Sequence, residues 1–156
     1  MVPGGDGPVH AYMLSAPGCW ARYCSLEEWK CGLAGEASIG IVQDLVDSFA
    51  VQHATSSDRR NPQSVAVHLM SLCAGLERSV TGRERRRLIG RWVGRAYPML
   101  GPAPDAFGVT ISEVAAAPVT ERPSVVGRLA MVSWSAWSAH HCTVRALLDS
   151  LSDAVG

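Results

Sequence analysis

The sequence predicts an all-α fold, a helical bundle of four to five main helices behind an irregular N-terminal segment. Three observations predict it. Apolar residues recur at spacings of three and four through most of the chain, and two capping boxes and a first-turn proline mark helix starts. Alternating β-branched runs are absent outside Phe107 to Ile111, and no internal repeat is visible. The chain reads as a single domain over residues 1–156, with 1–19 as an irregular lead-in and 20–156 as the bundle.

The elements follow in order. Pro3, Gly4, Gly5, Gly7, Pro8, Pro17 and Gly18 crowd residues 1–19, a density of breakers that excludes regular structure there. A short helix is expected from about Trp20 to Leu33, ending near Gly32 or Gly35. From about Glu36 to Ala54, Ile41, Leu45, Phe49 and Gln52 or His53 fall on one stripe with Val42 and Val46 beside it. Asn61 and Pro62 read as an N-cap and first-turn proline. The helix they open runs to about Ser79, with Val65, Leu69, Leu72 and Leu76 on one face and Val67, Met70 and Cys73 on much of the rest, so it is expected to be central.

Thr81 with Glu84 forms a capping box opening a helix to about Tyr97, where Pro98 stops it, and Leu88, Ile89, Trp92 and Val93 are its expected inner face. Met99 to Phe107 is loop. Thr110 with Glu113 is a second capping box, for a short helical turn ended by Pro118. A last helix starts near Pro123 and passes Leu129, Val132 and Ala136 to Trp137; after a kink at Ser138 to His140, Val144, Leu147 or Leu148, Leu151 and Val155 continue the stripe.

Of the 156 residues, 47% are hydrophobic and 18% charged, a balance that suits a packed core. Fourteen basic and fourteen acidic residues cancel, so no bulk field attracts nucleic acid or an anionic membrane, and neither is an expected partner. Five cysteines (Cys19, Cys24, Cys31, Cys73 and Cys142) are an odd set with no secretion signal ahead of them, which reads as thiols in a reducing compartment. No stretch approaches the roughly 18 apolar residues of a membrane span, and the expected location is cytoplasmic.

The histidines carry most of the candidate chemistry. His53 follows Phe49 by four residues on an inner stripe, and His68 lies between Val65 and Leu72 at the border of a core face. Two inward histidines on consecutive antiparallel helices can approach one another, and a third, His140 or His141, arrives at the kink. Three neutral imidazoles from separate helices suit a divalent metal, zinc or iron first and nickel besides, with an open position for water or substrate. Asp47 and Gln52 would then serve as a further ligand, an outer acceptor or a base. The plainer alternative is that each histidine is hydrogen-bonded within the core; no compact H-E-x-x-H motif is present.

Two other sets stand out. His10, Cys19, Cys24 and Cys31 offer structural-zinc ligands, but their gaps lack the short knuckle loop, which favours incidental thiols. Arg83, Arg87, Arg91 and Arg95 recur every four residues with Arg86 beside them, a cationic stripe able to contact an anion or to serve as a solvated face. Trp134 and Trp137 fit a ligand pocket or a core ridge. No G-x-S-x-G elbow or phosphate-cradling loop appears, and the glycines at 32, 35 and 40 lack its context.

Four segments, D-G-P-V-H-A-Y-M-L-S-A-P-G-C-W (Asp6 to Trp20), V-D-S-F-A-V-Q-H (Val46 to His53), Q-S-V-A-V-H-L (Gln63 to Leu69) and W-S-A-H-H-C-T-V-R (Trp137 to Arg145), resemble those of a bacterial family of small uncharacterised proteins, a domain of unknown function. The resemblance implies no activity, but it marks His10, Cys19, Asp47, Gln52, His53, Gln63, His68 and His141 as motif positions. It also implies a C-P-G-C pair ahead of the first segment, half of a zinc knuckle completed by His10 and Cys19; this chain lacks that pair. Phe49 stands where a tyrosine is usual, and Ala54 where a proline follows the Q-H pair. These departures imply a divergent member with altered chemistry.

The leading expectation is a metal-dependent enzyme acting on a small-molecule substrate in a specialised biosynthetic pathway, by hydrolysis, cyclisation or oxygenation. His53, His68 and His141 would hold the metal, Asp47 or Gln52 would assist, and a homodimer is compatible with this reading. A second reading is a metal-free acid–base cyclase or isomerase built on the same histidines with Asp47. A third is a non-catalytic binding protein using Arg83, Arg87, Arg91 and Arg95 against an anionic partner.

Overall fold

The computed structural model describes residues 7–11, 13–55 and 60–153. Pro3, Gly4 and Gly5 of the expected lead-in and Val155 of the last stripe lie outside the described residues. The regular elements are α1 (Pro17–Ser25), α2 (Glu27–Gly32), α3 (Glu36–Gln52), α4 (Arg60–Arg78), α5 (Gly82–Trp92), α6 (Ile111–Ala116), α7 (Arg122–Ala136), a 3-10 turn (Ser138–His140) and α8 (His141–Asp153), with no strand among the described residues. The five longer helices, α3, α4, α5, α7 and α8, are the expected main set. Three short ones, α1, α2 and α6, add to it: the stretch 20–33 is broken at Leu26, and α6 is the short helical turn expected behind the Thr110–Glu113 box.

Several boundaries differ from the sequence reading for identifiable reasons. Helix α1 begins at Pro17, inside the segment expected to be irregular, because Ala16 is extended and Pro17 takes a first-turn position where its fixed φ and missing N–H cost nothing. Asn61 is no N-cap: it lies within α4, and its Oδ1 accepts a hydrogen bond from the Thr55 backbone N–H at 2.6 Å. Helix α5 stops at Trp92, five residues short of Tyr97, and Gly94 takes a left-handed φ of 85° that turns the chain. The Thr81 hydroxyl does cap α5 by accepting from Glu84 N–H, and Thr110 with Glu113 forms the full reciprocal box on α6. Phe107 to Val109 is loop, and the expected kink at 138–140 is the 3-10 turn.

Helices α3 and α4 occupy the centre. Helix α3 packs on α4, α5 and α7, and α4 also meets α5, α7 and α8. One apolar cluster gathers around α4 with Trp92, Tyr97, Trp134, Trp137, Val144 and Leu148; the other joins Leu45 and Phe49 of α3 to Leu26, Ile111, Val126 and Leu129. Two residues depart from the expected faces: Leu76 and Val93 are exposed. Trp134 and Trp137 are core, with the Trp137 indole donating to Val51 O. No described helix is long and apolar enough to cross a membrane.

Helices α3 and α5 cross in close contact. A Cβ on Gly82 would lie 2.3 Å from the Gly40 backbone nitrogen, so the two backbones touch where a side chain would part them. That approach brings the base of α5 against α3 and fixes what lies between them.

Candidate functional site

Between α3, α4 and α5 lies a buried polar network centred on Asp47, which has no exposed surface. Its Oδ1 accepts from Gln43 Nε2 at 2.8 Å and from His68 Nδ1 at 2.7 Å, and its Oδ2 accepts from the Ser71 hydroxyl at 2.5 Å. Every one of these neighbours donates, which is the environment an acceptor-only carboxylate requires. Helix periodicity supplies two of the pairings. Gln43 and Asp47 are four apart on α3, while His68 and Ser71 are three apart on α4 and face α3 together.

Arg85 completes the network from α5. It is 3% exposed, and its guanidinium meets Asp44 at 2.7 Å, the Gly40 carbonyl at 3.2 Å and Asp47 Oδ2 at 3.7 Å. A Cβ on Gly75 would come within 2.7 Å of the guanidinium, so this glycine is the space the arginine occupies. Burial pushes the Asp44 carboxyl up, against the pull of Arg85, and the neighbouring Asp47 adds to the rise. One buried cation thus serves two carboxylates, and Asp47 is turned toward the imidazole.

His68 is the member of the network that lines a cleft. The cleft, of about 480 Å³, lies between α4 and the end of α5, and Gln63, Ser64, Val67, Ile89 and Arg95 among others line it too. With Nδ1 donating to Asp47, Nε2 is the ring nitrogen not taken up by that bond. Gln63 holds the far wall: it exchanges two hydrogen bonds with the Tyr97 backbone, donating to Tyr97 O at 3.1 Å and accepting from Tyr97 N at 2.8 Å.

The structure brings together Asp47 and His68 and places the other expected site residues elsewhere. His53 caps the C-terminus of α3, donates from Nδ1 to Phe49 O at 2.8 Å and packs on the Phe49 ring. Burial pulls its pKa down, against the Phe49 carbonyl, with His10 adding to the fall. Gln52 ties α3 to the 109 loop and α7 through Val109 O and Ser133 Oγ. His141 stacks on Trp134 at 3.7 Å and donates from Nε2 to Trp134 O, while His140 lies against Gly101. The three histidines expected to share an ion therefore each engage a different partner, and among the described residues no group of three or more His, Cys, Asp or Glu is placed to hold a metal.

Beside His141, Glu77 accepts from Arg145 and from the Trp134 indole, and these bonds, led by Arg145, hold its carboxyl down to about 2. Cys73 nearby is pushed up to about 11, chiefly by burial. His10 packs edge-on against Trp20, Cys19 joins the apolar cluster of α1, and Cys24 and Cys31 are exposed thiols.

The arginine stripe is shorter than expected. Arg83 pairs with Glu36 and Arg87 with Glu84, both on the surface, and Arg95 lies past the end of α5 rather than on it. Of the four, only Arg95 lines the His68 cleft.

Arg85, Ser71 and Gln43 are the participants the sequence reading missed. Arg85 hides in a run of arginines, yet it stands seven residues before Trp92, on the same helical face. Extending the Trp92–Leu88 or Ile89 stripe back by one turn picks it out.

Residues 5–138 match the family described as Family of unknown function (DUF5946). The chain belongs to this family. The matched residues hold the whole Asp47 network and the cleft, and they end ahead of His140 and His141, within the Trp137 to Arg145 segment. No curated protein and no solved structure matches the chain.

Proposed function

We propose that the chain is a metal-free acid–base enzyme acting on a small molecule, in which His68 moves the proton and Asp47 positions it. The observation that carries this reading is the 2.7 Å contact between a carboxylate without exposed surface and an imidazole that lines a cleft. A buried carboxylate on Nδ1 holds the ring in one tautomer and one orientation, and it stabilises the imidazolium once Nε2 has taken a proton.

The chemistry that suits this pair is isomerisation or cyclisation. Nε2 removes a proton from a carbon or hydroxyl of the bound molecule, and the same nitrogen returns it to another atom, so no net charge or redox change remains. A positioned acid–base group of this kind contributes on the order of 10² to 10⁴ in rate. Arg85 and Ser71 act on His68 only through Asp47; they are positioning residues.

Solvent exchange tests the reading without a known substrate. The native chain is incubated in D2O with a set of small carbon acids, and deuterium uptake is followed by mass spectrometry beside His68→Ala and Asp47→Asn, with and without chelator. Uptake that survives chelation and drops at least a hundredfold in His68→Ala supports the proposal. Uptake equal in His68→Ala, or none above the buffer rate with any member of the set, overturns it. Uptake lost on chelation, with a stoichiometric metal by elemental analysis that His53, His68 and His141 variants lose, replaces it with the metal-dependent reading.

A further inference from the structure

The walls of the His68 cleft have a consistent chemistry. Val67, Ile89 and Val93 supply apolar surface, Arg60 and Arg95 supply positive charge, and among the described residues no Asp or Glu lines the cleft. Val93 is 64% exposed although it is a β-branched apolar residue beside the cleft. Arg95 is exposed, and among the described residues its hydrogen bond runs from Nε to the Arg91 carbonyl at 3.1 Å, which leaves the two terminal nitrogens of the fork directed to no described carboxylate. The buried carboxylates of the network are already matched by Arg85 and His68 behind the cleft wall. Among the described residues, the Arg95 charge at the rim is therefore uncompensated.

We infer that the molecule this cleft takes is a small apolar compound bearing one carboxylate or comparable anionic group, received by Arg95 at the rim while its apolar body lies on Val67, Ile89 and Val93 beside His68. This rests on the acid–base reading of the same site and adds the class of substrate. A guanidinium at the mouth and a proton-moving imidazole on the wall would hold the anionic end away from the reacting atoms. Binding energy from the remote group then orients the chain across Nε2.

Octanoate and octanol separate the two halves of the inference. They share an apolar chain and differ in charge. Each is titrated into the native full chain while the histidine ring signals are followed by NMR, with Arg95→Gln and, as a charge control away from the cleft, Arg87→Gln. The expected result is that octanoate shifts the His68 ring signals and binds at least tenfold more tightly than octanol. That preference should disappear in Arg95→Gln, persist in Arg87→Gln and weaken as salt is raised. Equal affinity for the two probes, a preference unchanged in Arg95→Gln, or no effect of either probe on His68 overturns the inference. The acid–base reading is judged apart from this, by the exchange activity of His68→Ala: that activity can stand while the octanoate preference fails, and the reverse.

Discussion

Asp47 on α3 holds His68 on α4 through a 2.7 Å hydrogen bond from Nδ1, and it does so from a position with no exposed surface. Asp47→Asn replaces an acceptor by a group that is half donor, directed at Ser71, Gln43 or the imidazole, all of which already donate. The variant should lose exchange activity by tenfold or more and lose stability by about 1 to 3 kcal/mol, the cost of an unsatisfied buried polar group. Steady-state exchange rates and urea midpoints on the same preparation check both. Activity at the native level with unchanged stability would mean that Asp47 neither positions His68 nor anchors the core.

Arg85 is the counter-charge for Asp44 and Asp47 together. Removing it leaves the fully buried Asp47 carboxylate without its cation and beside the partly exposed Asp44, so Arg85→Ala should destabilise by about 3 to 5 kcal/mol. Asp44→Asn should cost much less, because Asp44 keeps contact with solvent. Denaturant unfolding of the two variants ranks them, and the opposite ranking would contradict the assignment of Arg85.

Glycine substitutions divide by what surrounds them. Gly82→Ala forces a Cβ against the Gly40 backbone, which cannot move aside, and Gly75→Ala forces one against the Arg85 guanidinium; each should lower stability by about 1 to 3 kcal/mol. Gly90 lies in α5, and a Cβ added there would meet nothing within 4 Å, so Gly90→Ala should raise stability by about 0.5 to 1 kcal/mol through helix propensity. Thermal midpoints measured together distinguish the close crossing from a general intolerance of larger residues.

Stability should fall on mild acidification. Burial holds His53 and His10 below the ordinary histidine value of 6.5, so the folded chain resists protons that the unfolded chain accepts near that pH. More protons bound in the unfolded state mean stability that is present above about pH 6.5 and lost as pH drops through it. His53→Gln should flatten part of this slope between about pH 7.5 and pH 5 in chemical unfolding. A slope unaltered in that variant would place the acid sensitivity elsewhere.

Much of the architecture is legible in the sequence because the local signals are strong. The apolar stripe through Leu45 and Phe49, the Thr110–Glu113 box and the run from Pro123 to Ala136 each state a helix that tertiary packing leaves intact. Pro17 misleads because a proline ends some helices and begins others. The length of α5 misleads because Gly94 turns the chain before Pro98 is reached.

The site is half legible for a related reason. Asp47 and His68 stand out as polar residues on apolar faces, but which inward groups meet is set by the angle at which α3, α4 and α5 cross. That angle depends on the contact of Gly40 with Gly82, which no single-helix pattern reveals. His53 shares a stripe with Phe49 yet sits where α3 ends, so its ring turns back on its own helix rather than toward His68. Arg85 resembles its exposed neighbours in composition and differs from them only in helical phase.

The tautomer of His68 is the most direct measure of the arrangement. Long-range proton–nitrogen NMR of the histidine rings in the full chain, compared with Asp47→Asn, reads it without any substrate. The expected result is a His68 ring that keeps a proton on Nδ1, toward Asp47, and a mixture of tautomers once Asp47 is replaced. A ring protonated on Nε2 alone in the native chain, or one indifferent to Asp47, would contradict the pairing on which the proposed chemistry depends.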